Sequence, residues 1–424
     1  MIHTDSLWAA TSNPLKIRPS LEGEIQTDIV IIGAGFTGLA TAYYLRKAGI
    51  NCVVLEKNVV GWGASGRNAG MVLTGFKNSI QKIEKRWGRE TAKIFLDQSS
   101  LGIEKVREIV KAEGIECSLS DCGSMKAAFK SSHSEALKRE QEFMWEAYKY
   151  ELQYVDRNQL KKELDSDFYY GGLIDFKSSS FHPLNYAIGL ANAVEEKGGE
   201  IYEQTEVSSV EENHHGYSVK TEMGVVQSSH IVFATNGYTE KLNKKLTRSI
   251  MPMGSYIIAT ESLGKEITER LIPNNRMISD TKNFLYYFRR TPDERILFGG
   301  RVSFNSKEDE SLYQSLRENL LEVFPELSDK KIEYKWGGKV AFPMDFFPHV
   351  GTIKKTIHYA LGYCGHGAST STLFGEYVAQ NIINPNREKS KLEELPLRTI
   401  PLHSQKNLLL NLAGNYYSLL DKVK

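Results

Sequence analysis

The stretch Thr27 to Gly49, TDIVIIGAGFTGLATAYYLRKAG, restricts the fold more than any other part of the chain. Asp28 to Ile32 is a short apolar run, and Leu39, Ala42, Tyr43 and Leu45 then recur at helical spacing until Gly49 stops them. Between the two lies Gly33-x-Gly35-x-x-Gly38. Gly33 permits the tight turn, Gly35 lets a phosphate approach the backbone, and Gly38 lets the helix pack close on the strand. Residues 51–57, NCVVLEK, supply a second apolar run, so the segment reads as a β-α-β unit with parallel strands and a right-handed crossover. Its helix points free amides and the positive end of its dipole at a pyrophosphate. Glu56 closes the second strand 18 residues beyond Gly38 and offers a carboxylate to both ribose hydroxyls. ADP is common to NAD and FAD, so this motif does not choose between them.

The next stretch separates the two. GWGASGRNAGMV, Gly61 to Val72, follows Glu56 without room for the further helix of a plain NAD domain. A run of small residues with Ser65, Arg67 and Asn68 can lie extended along a pyrophosphate and a ring system, supplying amides and a fixed cation. That suits FAD.

With 424 residues, 41% of them apolar, the chain is long enough for two cores. Its 53 basic and 52 acidic residues leave no global field for a nucleic acid, so no nucleic acid partner is expected. The most apolar window, Ile29 to Leu45, is interrupted by glycines and is too short to span a bilayer. MIHTDSLWAA lacks the basic head and apolar run of a signal peptide, and Cys52, Cys117, Cys122 and Cys364 are scattered as reduced thiols would be. A cytoplasmic location is the expectation. Cys117 and Cys122 lack a second ligand pair, which argues against zinc.

Downstream, two amphipathic helices over 79–113 and 132–151 read as an insertion outside the nucleotide sheet. Residues 183–205 read as helix then strand, 207–229 as a β-meander, and HIVFATNG, 230–237, as a strand ending in a turn. From Met251 to about Glu333 the strand-like runs predict an antiparallel sheet with one exposed face, and a charged helix near 308–323. Residues 357–383 return to strand, glycine turn and helix, and NLLLNLAGNYYSLL in the tail reads as a docked amphipathic helix.

DIVIIGAGFTGLATAYYL, GWGASGRNAG, WGGKVAFPMDFFPHVG and GYCGHGASTSTLFGEYVA together resemble the D-amino-acid oxidase and glycine oxidase superfamily of FAD-dependent amine oxidoreductases, with the gamma-glutamylputrescine oxidoreductase branch nearest. The resemblance covers nearly the whole chain. It implies an α/β fold, a Rossmann-like FAD-binding domain with an inserted antiparallel-sheet substrate domain. The FAD domain is expected from 1–80, 178–245 and 350–390, the substrate domain from 81–177 and 246–349, and the tail from 391–424.

The resemblance implies that Gly33, Gly35, Phe36, Thr37 and Gly38 meet the pyrophosphate and that Glu56 and Lys57 meet the ribose. Ala64, Ser65, Arg67, Asn68, Gly70 and Met71 would line the flavin side, and Val207 and Thr235 would frame the adenine. Gly362, Gly365, His366, Gly367, Ala368 and Ser369 would close over the pyrimidine edge, where the positive end of a helix steadies the anionic reduced ring. His366 is also a candidate for proton transfer, with a plain capping role as its alternative. Sarcosine-oxidase relatives attach flavin through a cysteine where this chain has Gly338, so Gly338 would border a dissociable FAD.

The chemistry so implied is hydride transfer from the carbon bearing an amine, then hydrolysis of the imine to an aldehyde or oxo acid, with O2 or another acceptor taking the electrons. Candidate substrate-side residues are Tyr256, Tyr286, Tyr287, Arg289 and Arg301, though strand alternation lets only one of Tyr286 and Tyr287 face a ligand. Glycine-oxidase relatives clamp a carboxylate with an arginine ahead of the Asp345 position, whereas Lys339 is the nearby cation here. A simple α-amino acid is therefore disfavoured, and Lys339 becomes the candidate for steadying superoxide. A nicotinamide-dependent dehydrogenase and a non-catalytic FAD-binding protein stand as the alternatives.

Overall fold

The computed structural model describes residues 3–214, 216–303, 309–401 and 403, and for 301–303 the backbone alone. Strands are numbered along the chain. The first sheet orders β17 (His349–Ile353), β18 (Ile357–Leu361), β11 (Gly224–Phe233), β1 (Gly23–Ile32), β2 (Cys52–Leu55) and β8 (Glu200–Tyr202). The expected meander, β9 (Ser209–Asn213) and β10 (Gly216–Lys220), runs antiparallel off β11. From β18 to β8 the strands are parallel, and β17 is antiparallel at the edge.

The run at Ile29 to Ile32 is central because both its faces are covered, as continuous apolar strands in parallel sheets require. Ile29 and Ile31 enter a core shared with Leu39 and Leu373, whereas Val30 and Ile32 enter one shared with Tyr217 and Val219 of the meander. The helices Phe36–Lys47 and Gly367–Ile383 lie side by side on the first of these faces. A Cβ on Gly375 would stand 2.6 Å from that of Ala40 and 2.9 Å from the Thr37 carbonyl oxygen, so only glycine permits this crossing. Each helix leaves the C-terminal end of a strand, after β1 and after β18, and these strands point the same way. Both helix N-termini therefore open at one edge of the sheet.

The second sheet orders β16 (Ile332–Phe342), β12 (Met251–Thr260), β15 (Ile296–Ser303), β14 (Tyr287–Arg290), β13 (Met277–Asp280), β4 (Ser124–Ala127), β6 (Gly171–Asp175) and β5 (Gln153–Asp156). It is antiparallel except where β13 meets β4, the junction between the two stretches of chain that build it. The charged helix spans Glu310–Val323, capped by Asp309. Its Leu312, Leu316 and Leu320 share a core with Tyr256, Phe288 and Phe298.

The other face differs from expectation. Ile257, Ala259, Leu297 and Trp336 are covered by Leu7 and Trp8 of a short helix, Leu7–Ala10, and by Leu184 and Ile188, so this face meets the first sheet's domain instead of solvent. Helix Arg89–Ala112 likewise packs its Ala92, Phe95, Ile103 and Val106 with the first core, although sequence reasoning places 81–113 with the substrate domain. Gly102 is why it can: a Cβ there would lie 2.8 Å from the Ser369 carbonyl oxygen. A two-stranded ribbon, β3 (Met71–Val72) with β7 (Ser179–Ser180), links the two sheets. The expected tail helix lies outside the described residues.

Candidate cofactor and substrate site

At the first glycine turn a Cβ on Gly38 would come within 1.9 Å of the Gly33 carbonyl oxygen, and one on Gly35 within 2.8 Å of Ser65 Oγ. Gly33 itself adopts φ +106°, open to glycine. The Phe36 amide donates to Ser65 Oγ at 2.9 Å, which ties the two glycine stretches together. Phe36 packs its ring on Phe181 and Tyr186, and the Thr37 hydroxyl lies 2.6 Å from that of Tyr363. Thr37 therefore offers a phosphate only its backbone, and the Phe36 amide is already taken by Ser65.

Glu56 accepts the Ala34 and Asn58 amides, one on each oxygen at 2.9 Å, and burial raises its pKa. Each oxygen keeps a lone pair for a ribose hydroxyl. The exposed Lys57 is turned to Glu206 at 2.7 Å. Val207 is buried in the same core as Leu55, and Thr235 follows β11, next to Gly33, with its hydroxyl 2.7 Å from that of Thr239.

The second glycine stretch is held from every side. A 3-10 turn at Ala64–Gly66 begins it, and the Asn68 side chain donates to the Ala64 and Ser65 carbonyls while accepting the Gly70 amide at 2.8 Å. Two indoles grip it from outside: Trp8 donates to the Asn68 carbonyl and Trp336 to that of Arg67, each at 2.8 Å. Arg67 lies 4.0 Å over the Trp62 ring and donates to the Trp62 carbonyl at 2.7 Å. Gly338 backs onto it, since a Cβ there would sit 3.5 Å from the Arg67 Cβ.

β3 then presents an open edge. Ser180 of β7 spends both its amide and its carbonyl on Ser120, while the Phe181 amide donates to the Gly70 carbonyl. Opposite Ser180, Met71 therefore turns its own N–H and C=O away from β7. On that side Ser369 Oγ donates to the Leu73 carbonyl at 2.8 Å, which places the first turn of helix Gly367–Ile383 across from the edge. Gly362 and Gly365 have φ of +78° and +91°, and no side chain caps the helix that follows. Gly367, Ala368 and Ser369 thus form a turn with free amides. His366 precedes it, 3.4 Å through Nδ1 from the Cys364 carbonyl oxygen. Burial lowers its pKa to about 4, so the imidazole is neutral near pH 7.

Two helix N-termini, a glycine turn, an extended stretch and Glu56 are thus gathered at one edge of the sheet. These donors fit an adenine dinucleotide carrying a flavin: backbone amides for its phosphates, a carboxylate for its ribose, and an open strand edge for its ring.

On the substrate side the alternation along β14 resolves as geometry allows. Tyr286 donates to Glu322 at 3.1 Å, toward helix Glu310–Val323. Tyr287 turns the other way, its hydroxyl 3.2 Å from Ser255 Oγ and its ring above Gly299. Tyr256 faces Tyr313 at 5.9 Å and so points away from the first domain, because its strand neighbours Ser255 and Ile257 take that face. Lys339 is not the isolated cation expected. Gly338 faces Arg67, so Lys339 points the opposite way, 5.1 Å from the Tyr238 ring and 3.9 Å from Glu240. The Arg301 side chain lies outside the described residues.

Sequence reasoning did not single out Trp8, Trp336 or Lys77. Lys77 lies in the loop after β3, which Asn78 ties to the Asp345 carbonyl at 2.9 Å. Its side chain is exposed, desolvation lowers its pKa, and its charge contributes to lowering that of His366. Among the described residues it forms no ion pair. The available signal was a lysine six residues past Met71, in an otherwise uncharged stretch. Among the described residues, no three His, Cys, Asp or Glu side chains group to hold a metal, and no helix is long and apolar enough to cross a membrane.

Comparison with known proteins agrees with this geometry. Residues 28–381 match the family model described as DAO, FAD dependent oxidoreductase. Gamma-glutamylputrescine oxidoreductase of Escherichia coli (strain K12) is 32% identical over 424 residues, covering 99% of each chain. Among solved structures, glycine oxidase from Geobacillus kaustophilus superposes with a TM-score of 0.75 at 20% identity, covering 88% of this chain and 98% of that one. L-proline dehydrogenase from P. horikoshii gives 0.71 at 20%, covering 88% and 96%. Both share the two-domain fold.

Proposed function

The chain belongs to the FAD-dependent oxidoreductase family, and from that premise we propose that it oxidises the C–N bond of an amine whose carboxylate lies apart from the reacting carbon. The imine would then hydrolyse to an aldehyde or oxo acid. FAD supplies the hydride acceptor when bound.

The residues around it have separable tasks. The open edge of β3 and the first turn of helix Gly367–Ile383 orient the ring, and the helix dipole favours negative charge there. Tyr287 and Ser255 border the substrate's approach from the second sheet. Lys339 is committed to Tyr238 and Glu240, so the strand before Asp345 offers no clamp for an α-carboxylate. Lys77, beside neutral His366, is the cation placed to take a carboxylate carried farther from the amine. The observation that carries this reading is the end-to-end match to gamma-glutamylputrescine oxidoreductase in a chain whose two helix N-termini meet at one edge.

FAD is held without a covalent bond. Gly338 occupies the attachment position, all four cysteines are buried, and burial pushes the thiols of Cys52 and Cys117 up to about 12 and that of Cys364 higher still. Acid precipitation should leave the yellow colour in the supernatant. Buried, unpaired thiols also suit a reducing cytoplasm, and oxygen or a second protein would accept the electrons.

The test is anaerobic bleaching by paired amines, each with and without a distal carboxylate: gamma-glutamylputrescine beside putrescine, with glycine and N-methyl amino acids as controls. Faster bleaching by the carboxylate-bearing member supports the proposal. Bleaching by dithionite alone would favour the non-catalytic reading.

A further inference from the structure

Arg289 lies where a charge is hardest to keep. It is 2% exposed, at the domain junction, on the face of β14 that looks toward the second glycine stretch. Among the described residues it forms no ion pair, and its Nε finds no hydrogen-bond acceptor. Its Nη1 donates to the Gly70 carbonyl at 2.8 Å. Trp8 lies 5.7 Å away, and burial lowers the guanidinium to about 10, still charged at neutral pH. A neutral amide would satisfy a carbonyl at far lower cost, because desolvating an uncompensated ion costs several kcal/mol.

What the charge acts on follows from the Gly70–Met71 peptide. Its oxygen accepts two hydrogen bonds, from Arg289 and from the Phe181 amide at 3.0 Å. In a trans peptide the N–H points opposite to the C=O. The Met71 N–H is thus directed across the open edge of β3, toward the first turn of helix Gly367–Ile383. Donors chained in this way polarise one another, which strengthens the outward N–H as a donor.

We propose that Arg289 is a positioning residue for the flavin: it pins the Gly70 carbonyl, aims the Met71 amide at the ring, and supplies a fixed positive charge behind that peptide. Its missing counter-charge is the negative charge the ring gains on accepting hydride. The inference rests on FAD as cofactor, which the colour of the unaltered protein checks separately.

Sulfite reads this charge without turnover, since its adduct with the ring is anionic. In the purified holoenzyme, Arg289→Gln should raise the sulfite dissociation constant at least tenfold, about 1.4 kcal/mol. The flavin midpoint potential should fall by about 30 mV, the equivalent of tenfold for two electrons. Arg289→Lys, which keeps charge and donor, should stay within threefold of wild type on both. Cys122 also lies within electrostatic reach of Arg289, so Cys122→Asp should reproduce the Gln result with the arginine intact and serves if Arg289→Gln does not fold. Wild-type sulfite affinity and potential in Arg289→Gln would overturn the proposal. So would equal losses in the Gln and Lys variants, including equal loss of FAD from folded protein, because shape and not charge would then be at work. Should Cys122→Asp be the variant that decides, unchanged sulfite affinity overturns it too.

Discussion

The two ends of the first sheet treat their polar groups in opposite ways. At the C-terminal edge β1, β2, β11 and β18 run out into Gly33, Glu56, Thr235 and Gly362, and two helices begin there with no cap bond from their own N-cap residues. At the opposite end the polar groups satisfy one another. His230 Nδ1 lies 3.1 Å from His358 Nε2, His358 Nδ1 lies 3.2 Å from Thr352 Oγ1, and the Tyr217 hydroxyl lies 2.7 Å from that of Thr356. Polar groups that close among themselves build structure, whereas those left aimed at a common space need a ligand to complete them.

The sharpest way to break this contrast is at the crowded end of the glycine turn. Gly38→Val would drive a side chain onto the Gly33 carbonyl oxygen, 1.9 Å from its Cβ position, and the purified protein should carry no flavin absorbance. A yellow Gly38→Val protein would mean that the turn is not the cradle.

The opposite edge should answer to pH. Burial, then His230 and Lys389, pushes His358 down to about 3, and burial lowers His230 against the pull of Asp28. An unfolded histidine titrates near ~6.5 and so binds protons first on acidification. The stability these groups contribute is therefore whole above pH ~6.5 and lost as pH falls through the folded values, by up to ~1.4 kcal/mol per pH unit for each. Thermal melts of His358→Gln between pH 7.5 and 4.5 should fall less steeply than those of wild type. A residual slope remains from His3 and His182, which burial also holds near 4. Identical slopes would remove His358 from the account.

Back at the cofactor edge, Lys77→Met should raise KM about tenfold for a carboxylate-bearing amine and leave kcat nearly unchanged, in line with the loss of one charge-assisted hydrogen bond of about 1.5–3 kcal/mol, partly screened. Equal KM values for both proteins would place the carboxylate elsewhere. The smallest change is expected for Lys339→Met: a half-exposed lysine near Glu240 contributes at most ~1 kcal/mol, so peroxide formation should match wild type within about twofold. A large selective loss of oxygen reactivity would restore Lys339 to the site.

Much of the fold was legible because its signals are local. Gly33 needs a positive φ, Gly38 needs the absence of a Cβ, and helical spacing after Phe36 names the element that follows. The second glycine loop was legible as a local turn for the same reason, since Asn68 bonds within it. The substrate side was less so. Alternation in FLYYFRR separates Tyr286 from Tyr287 but cannot say which face a helix will cover, and the same ambiguity hid that Tyr256 faces Tyr313 and Lys339 lies toward Glu240.

The amino-acid order alone determined the dinucleotide turn, the parallel β-α-β unit and a flavin family, because each depends on backbone freedom and spacing within a few dozen residues. Tertiary structure decided which face of the second sheet packs against the first domain, and it brought Arg289 to the Gly70 carbonyl across 219 residues and Trp336 to Arg67 across 269. Those contacts depend on which apolar surfaces cover one another. That choice is made by the whole core and leaves no mark in either partner's own stretch of chain.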